Sequence, residues 1–498
     1  MPHRSKTLDY LYSAAQCREL DRIAIQEHGI PGLELMQRAG RAAFAELLQR
    51  WPGVKSISVV CGKGNNAGDG YIVAGLAVEL GLHVQTIQVG DPGDLEGDAG
   101  RARDWAYEKG LGTVHGPDAP LEGQVIVDAL LGTGFAGALR PQFAELAQRI
   151  NDCGADCGVM ALDIPTGVLA DTGVSVPGAV RADVTVTFIG RKAGLFTGPG
   201  VSLAGDVVYA SLGVPDDVLR DVVGCPLLRM DEQPSLPGYD RNAYKQLQGH
   251  VAVVGGDRDM GGAPLMAGEA ALRMGAGLVT VITRAEHRAA ILSRRPEIMV
   301  VDADDAARRA EALDRASVLV LGPGLGRGDW GSALLAESLA LGKPAVLDAD
   351  GLHAFAALQA VPAAPLVATP HPGEAAAVLG SDSGSVQADR LEAAREVAAR
   401  VGGVAVLKGA GSVVAEADGV CGVCAHGNPG MASAGMGDVL SGVIGGLLAQ
   451  RLSPVRAAVF GTCLHSAAAD AAAGQVGQRS LVATDLLPAM IDILRSAQ

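Results

Sequence analysis

Short apolar runs of four to eight residues, each closed by a glycine or a polar turn, recur along the whole chain with helix-like stretches between them. In the first half the runs are Val54–Cys61, His83–Val89, Gln124–Asp128, Gly158–Asp163, Asp183–Ile189 and Asp206–Tyr209, and the helix-like stretches include Ala14–His28, Leu33–Gln49 and Tyr71–Leu80. In the second half they are His250–Gly255, Leu278–Thr283, Ser317–Leu321, Ala345–Asp348, Leu366–Thr369 and Val404–Lys408. Strands separated by helix-length connections pair parallel and bury both faces, so the sequence calls for α/β architecture built from βαβ units. Composition agrees: aromatics are 3% of residues, while the small and branched aliphatic residues that let helices pack closely on a sheet dominate.

At 498 residues and 48% hydrophobic composition, the chain exceeds one ordinary core, and two domains of about 220–260 residues are expected. The stretch Asp231-Glu-Gln-Pro-Ser-Leu-Pro-Gly-Tyr-Asp240 concentrates proline, glycine and acids with no apolar periodicity. It places the boundary between residues 230 and 231, giving doubly wound domains at 1–230 and 231–498. A formal net charge of −15 argues against nucleic acid or an anionic membrane as partner. The first ten residues lack an apolar signal core, and every long apolar stretch is broken by glycine or charge, so a soluble, cytoplasmic protein is expected. The eight cysteines are scattered, and Cys421-Gly-Val-Cys424 with His426 lacks a second ligand pair, which favours reduced thiols over a zinc site.

Two glycine-rich segments carry the chemistry. Near the C-terminus, Asn428-Pro-Gly-Met-Ala-Ser-Ala-Gly-Met-Gly-Asp-Val-Leu-Ser-Gly442 puts small residues and an acid at the start of a helix-like run. Unpaired N–H groups there suit a phosphoryl anion, so Gly435, Met436 and Gly437 form a candidate cradle, with Asp438 as the base that takes a hydroxyl proton. The turns Gly255-Gly-Asp257, Gly322-Pro-Gly-Leu-Gly326, Asp348-Ala-Asp-Gly351, Thr369-Pro-His-Pro-Gly-Glu374 and Lys408-Gly-Ala-Gly-Ser412 each follow a strand. If the strands run parallel, these turns meet at one sheet edge, where Lys408 can neutralise phosphate charge and Gly409, Ala410, Gly411 and Ser412 can wrap a nucleotide.

Upstream, Gly64-Asn-Asn-Ala-Gly-Asp-Gly70 lies between the first strand and a helix beginning near Tyr71. It suits a diphosphate, yet it is neither Gly-x-Gly-x-x-Gly nor a Walker loop. Asp128-Ala-Leu-Leu-Gly-Thr-Gly134 and Asp163-Ile-Pro-Thr-Gly167 add carboxylates and a hydroxyl at neighbouring strand ends. Oxygen donors with a single carboxylate, Asn66, Asp128 and Thr166, match a weakly held monovalent cation and fit K⁺. Lys192, in Gly190-Arg-Lys-Ala-Gly-Leu195, is a weaker candidate for the same site.

The second half resembles the ribokinase-like superfamily, and within it the ADP/ATP-dependent NAD(P)H-hydrate dehydratase branch. The residues carrying the match are Gly249-His-Val-Ala-Val-Val-Gly-Gly256, Met260-Gly-Gly-Ala-Pro264, Gly275-Ala-Gly-Leu-Val279, Gly322–Gly326, Asp348–Gly351, His371-Pro-Gly-Glu374, Leu407-Lys-Gly409 and Gly435–Gly442. The resemblance implies that Ala263, Gly324, His371 and Asp438 contact a hydrated nicotinamide, that Lys408–Ser412 and Gly437 hold ADP rather than ATP, and that Mg²⁺ accompanies the nucleotide. From Tyr12 to Pro215 the chain resembles the NAD(P)H-hydrate epimerase family, which is Rossmann-like. That resemblance implies that Asn65, Asn66, Ala67, Gly68 and Asp69, then Gly132, Thr133, Gly134, Phe135, Ala136, Gly137 and Ala138, and Asp163 bind the hydrate. It also implies that Asp163 is the acid/base and that Asn66, Asp128 and Thr166 hold K⁺. As a whole the chain resembles the bifunctional NAD(P)H-hydrate repair enzymes, which implies hydrated NADH and NADPH as substrates and a homo-oligomer. Two alternatives stay open on the residues alone: a vitamin-precursor or sugar kinase in the second half, and a non-catalytic nucleotide-binding module in the first.

Overall fold

The computed structural model describes residues 9–153, 157–233, 236, 238, 242, 245–358, 364–419 and 421–496. Of the boundary segment, Pro234, Ser235, Pro237, Tyr239 and Asp240 lie outside the described residues. The chain divides into two compact units, Tyr10–Cys225 and Pro226–Gln498 together with the first residues.

In the Tyr10–Cys225 unit, strands β1 (Ser56–Cys61), β2 (His83–Gln88), β3 (Val114–His115), β4 (Val125–Ala129), β5 (Gly158–Leu162), β6 (Val184–Phe188) and β7 (Asp206–Ala210) form one sheet in the order β3-β2-β1-β4-β5-β6-β7. Every pairing is parallel. The order reverses between β1 and β4, so the loops after these two strands part there and leave a crevice at their carboxyl ends. Helix α1 (Ala14–Gln26) starts on a capping box, with Ser13 Oγ accepting from Gln16 N at 3.2 Å and Gln16 Oε1 accepting from Ser13 N at 2.8 Å. Helices α2 (Gly32–Arg50) and α3 (Asn65–Glu79) follow.

Helix α3 corrects the sequence expectation for Gly64–Gly70. These residues are no free-standing loop before a helix at Tyr71; Gly64 is the N-cap and Asn65–Gly70 are the first turns of α3. Glycine serves close packing inside this helix. A Cβ at Gly68 would lie 2.4 Å from the Met36 sulfur, and one at Gly70 would lie 2.7 Å from Ala129 Cβ. The contacts that bury α3 against α2 and the sheet thus override the low helical propensity of glycine.

In the second unit, β8 (His250–Val254), β9 (Leu278–Thr283), β10 (Met299–Asp302), β11 (Val318–Leu321), β12 (Ala345–Leu347), β13 (Leu366–Ala368), β14 (Val404–Leu407), β15 (Val413–Glu416) and β16 (Cys421–Cys424) order as β10-β9-β8-β11-β12-β13-β14-β15-β16. The pairings from β10 to β14 are parallel, and β15 and β16 add an antiparallel meander. Helices α4 (Gly262–Arg273), α5 (Pro372–Leu379), α6 (Arg390–Val401), α7 (Met436–Ala449) and α8 (Pro454–Val476) cover it. Helix α7 is buried almost throughout and carries its glycines where neighbours press hardest. A Cβ at Gly442 would meet Ala267 O at 2.1 Å, at Gly445 Val320 Cγ2 at 2.5 Å, and at Gly446 Ala271 O at 2.8 Å. These glycines let α7 sink between α4 and β11, which fixes where its first turn emerges. Among the described residues no helix is long and apolar enough to cross a membrane.

Candidate functional site

In the Tyr10–Cys225 unit a cavity of about 520 Å³ opens at the β1/β4 crevice. Its wall includes Asn65, Asn66 and Asp69 from α3, Gly132, Thr133, Gly134 and Phe135 after β4, Asp163 after β5, and Lys192. Ala67 and Gly68 are buried on the side of α3 away from the lining, and Ala136, Gly137 and Ala138 continue the loop as exposed residues beyond it. Asp163 sits at φ 67°, a left-handed conformation that costs a non-glycine residue energy. Its carboxylate pairs with Lys192 Nζ, which also donates to Phe188 O at 3.0 Å. Burial opposes charge on Lys192, but Asp163 beside it outweighs that and holds the ammonium above its ordinary range.

Two further carboxyl groups face this pair. Burial, then repulsion by Asp163 and Asp21, drives Asp69 well above the usual carboxylate range. Burial raises Asp21 to about 6, with Lys192 opposing and Asp163 assisting. Asp21, Cys17 and Arg18 come from α1 and had no site role in the sequence reading; nothing in their spacing separates them from an ordinary amphipathic helix. Behind the cavity wall, Thr166 Oγ1 donates to Asp128 Oδ1 at 2.8 Å and accepts from Leu131 N at 3.1 Å, and Thr166 N donates to Asp128 Oδ2 at 2.8 Å. Burial pushes Asp128 up to about 6 despite these bonds. Asn66 Nδ2 donates to Leu131 O at 3.2 Å, while Asn66 Oδ1 is buried without a hydrogen-bond partner. An orphaned buried carbonyl oxygen invites explanation.

In the second unit the strand-end turns meet at the β8/β11 switch. Gly256 N donates to Pro323 O at 3.0 Å, and Asp257 N donates to Gly324 O at 2.7 Å. Gly324 has φ 60°, and a Cβ there would lie 2.8 Å from Met260 O and 3.3 Å from Ala263 Cβ, so Gly324 and Ala263 form one wall. Gly435, with φ 90°, is the N-cap of helix α7, whose first turn carries Asp438. Lys408 Nζ lies 2.8 Å from Asp348 Oδ1 and 3.5 Å from Glu374 Oε2. A Cβ on Gly437 would lie 3.1 Å from the same Nζ, so Lys408 reaches the start of α7.

Asp438 is raised to about 7, chiefly by burial and then by Asp348, with Lys408 pulling the other way. A carboxyl poised near neutral pH is well matched to a general base. His371 caps α5: its Nδ1 accepts from Gly373 N at 3.0 Å and Glu374 N at 3.3 Å, and Glu374 Oε2 accepts from His371 N at 2.7 Å. Its ring is 55% exposed, with Nε2 3.3 Å from Glu374 Oε1, so a ligand would meet the imidazole with that nitrogen already beside a carboxylate. His465, on α8, is buried with Nε2 3.0 Å from Met436 O, and burial lowers it to about 4, so it is neutral. The sequence signal for His465 is a lone histidine in an alanine-rich apolar helix. Cys421 and Cys424 are buried strand residues, and no group of three or more His, Cys, Asp or Glu among the described residues is arranged to hold a metal.

A family model described as NAD(P)H-hydrate dehydratase matches residues 251–491, and one described as YjeF-related protein N-terminus matches residues 32–194. A bifunctional NAD(P)H-hydrate repair enzyme of Coxiella burnetii is 46% identical over 484 residues, covering 96% of this chain and 98% of that one. The chain belongs to the bifunctional NAD(P)H-hydrate repair enzymes. The Escherichia coli member of that family is 41% identical over 483 residues, covering 96% of this chain and 92% of its own length. The Bacillus subtilis ADP/ATP-dependent NAD(P)H-hydrate dehydratase, crystallised with ATP and Mg²⁺, is 29% identical over 53% of this chain and 95% of its own, with a TM-score of 0.49. As a hydrate repair enzyme the chain carries its epimerase in the first unit and its dehydratase in the second. The dehydratase match includes the Asp438 turn, and the epimerase match includes the residues that line the 520 Å³ cavity from Gly32 to Lys192, though not Cys17, Arg18, Asp21, Ile25 and Leu212.

Proposed function

We propose that residues 1–230 interconvert the R and S hydrates at carbon 6 of the nicotinamide ring, and that residues 231–498 use ADP to dehydrate the S form, releasing AMP and phosphate. What carries the second half of this reading is Asp438, poised near neutral pH in the first turn of α7 beside Lys408. Asp438 takes the proton from the carbon 6 hydroxyl as that oxygen attacks the terminal phosphoryl group, and the bond to AMP breaks. Gly435, Met436 and Gly437 offer main-chain N–H groups to the phosphoryl oxygens, while Lys408, Gly409, Ala410, Gly411 and Ser412 hold the nucleotide. The carbon 6–oxygen bond then cleaves, phosphate leaves, and loss of a proton from carbon 5 restores the ring double bond. Ala263, Gly324 and His371 line the hydrate's place.

In the first unit, the ring nitrogen expels the carbon 6 oxygen and water returns on the other face. Asp163, with Lys192 paired to it, exchanges a proton with the departing and arriving oxygen. Asn65–Asp69 and Gly132–Ala138 surround the hydrate. Asn66, Asp128 and Thr166 fit K⁺, and the unpartnered Asn66 Oδ1 supports that assignment. A bound K⁺ supplies positive charge close to the hydrate's anionic groups. Lys408 engages Asp348 and Glu374, so a Mg²⁺ ion would arrive with the nucleotide and would neutralise charge on its phosphates. The protein is assigned to the cytoplasm as a homo-oligomer. The test is to give a mixture of both hydrate epimers to the enzyme with ADP or with ATP. Complete recovery of reduced cofactor with ADP supports the reading, and a plateau at the S fraction contradicts the epimerase half. Accumulation of a stable phosphoester would mark a kinase instead.

A further inference from the structure

We infer that Arg390 is the positioning residue of the nucleotide loop, one guanidinium turning the carbonyls of Leu407, Lys408 and Gly411 inward so that an anion can approach the loop. This rests on the reading of Lys408–Ser412 as the nucleotide's seat. Arg390 opens α6 and is only 1% exposed, the largest of the fully buried side chains. Its Nη2 donates to Leu407 O at 3.3 Å, Lys408 O at 3.2 Å and Gly411 O at 3.4 Å, and its Nη1 donates to Gln387 Oε1 at 2.8 Å.

Taking a guanidinium out of water costs several kcal/mol unless its donors are satisfied, so a buried arginine spent on three carbonyls of one short turn organises that turn. The chemistry of the turn explains the need. A phosphate is repelled by carbonyl oxygens and held by N–H groups and cations. With Leu407 O, Lys408 O and Gly411 O held on the protein side by Arg390, the Lys408–Ser412 turn presents fewer carbonyls to a ligand and gains a fixed positive charge beneath it. Burial lowers Arg390 to about 10, which leaves it protonated at neutral pH. Gly409 belongs to the same arrangement: its φ is 141°, and a Cβ there would lie 2.9 Å from Arg390 Nη2. A side chain at that position would push the guanidinium off its carbonyls. Lysine cannot replace Arg390 in full, because one ammonium cannot reach the turn's carbonyls and Gln387 Oε1 together, as Nη2 and Nη1 of the planar fork do.

The experiment compares full-length wild type, Arg390→Met, Arg390→Lys and Lys408→Ala by ADP titration calorimetry and by steady-state dehydratase kinetics. Epimer exchange by the same chain and the melting temperature serve as folding controls. Losing hydrogen bonds to a charged group predicts that Arg390→Met weakens ADP binding roughly tenfold or more. The KM for ADP rises in step, kcat at saturating ADP and the KM for the hydrate change less than about threefold, and epimer exchange is unchanged. Arg390→Lys recovers part of the affinity. A folded Arg390→Met with wild-type ADP affinity, or one that loses kcat alone, overturns the inference. If Arg390→Met fails to fold, Arg390→Lys decides: a folded lysine variant with unchanged ADP affinity overturns it equally. Should Lys408→Ala weaken ADP binding while Arg390 variants do not, the inference fails and the nucleotide reading stands. Should neither matter, the nucleotide reading fails with it.

Discussion

Replacing Asp438 by asparagine should make the protein more stable at pH 8 than the wild type while removing its dehydratase activity. Asp438 moves from its ordinary 3.8 to about 7 in the fold, largely through burial. At about 1.4 kcal/mol per pH unit, that displacement corresponds to about 4 kcal/mol. Folding favours the protonated form, so the stabilising contribution is whole below pH 3.8 and is lost as pH rises to about 7, above which the loss is constant. About 1.2 units of it are lost by pH 5 and about 3.2 by pH 8, leaving about 2 units, or about 3 kcal/mol, between them. Partial solvent access reduces this to about 1.5 kcal/mol. For a unit of this size that is about 3–6 °C of melting temperature. Asparagine carries its own cost of burying an amide, but that cost does not depend on pH. The assay is thermal melting of both proteins from pH 5 to pH 8, and the difference in melting temperature should grow in favour of the variant up to about pH 7 and level off above it. A difference that is flat across this range, or that grows in favour of the wild type, would refute the assignment of a costly buried charge to Asp438.

Lys408→Met removes the cation shared by Asp348, Glu374 and Asp438, so residual dehydratase activity should fall at least about a hundredfold. Its pH profile should move to higher pH than the wild type's, because Lys408 holds Asp438 down; an unmoved profile contradicts the coupling. His465→Leu leaves Met436 O without its partner at the start of α7, and should lower dehydratase kcat about tenfold with ADP affinity intact; loss of ADP affinity instead would place His465 on the nucleotide. Asp163→Asn should abolish epimer exchange while S-hydrate dehydration by the same protein is unchanged, measured by following each epimer separately. Asn66→Ala should remove any stimulation of epimer exchange by K⁺ over Na⁺; stimulation that survives would relocate the cation.

The strand positions were legible because buried parallel strands are short, apolar and glycine-ended, and β1, β2, β4–β9 and β11–β14 fall within a residue or two of the expected runs. Among the strands outside the expected runs, β3 and β10 lie at sheet edges and are partly exposed, so they lack the continuous apolar run; β15 and β16 form a meander of strands too brief to stand out from loop. The start of α3 was misplaced because Asn65–Gly70 has poor helical propensity, and only the packing of Gly68 and Gly70 reveals why it is helical. Among site residues, Lys408, Asp438 and Gly437 stood out because a basic residue, an acid and glycines ended or began predicted elements, and the fold brings the three together. Arg390 could not be found this way. Its helix also contains Arg395 and Arg400, and nothing local distinguishes the one that turns inward.

The most direct test of the account is single-turnover conversion of purified S-hydrate with saturating ADP by wild type and Asp438→Asn, each first shown to bind ADP equally. The variant's rate of cofactor recovery should drop at least about a thousandfold, as expected when a general base and its charge are both lost. Recovery at the wild-type rate would contradict it, since the proton would then leave by another route and the carboxylate at the start of α7 would have no part in the chemistry.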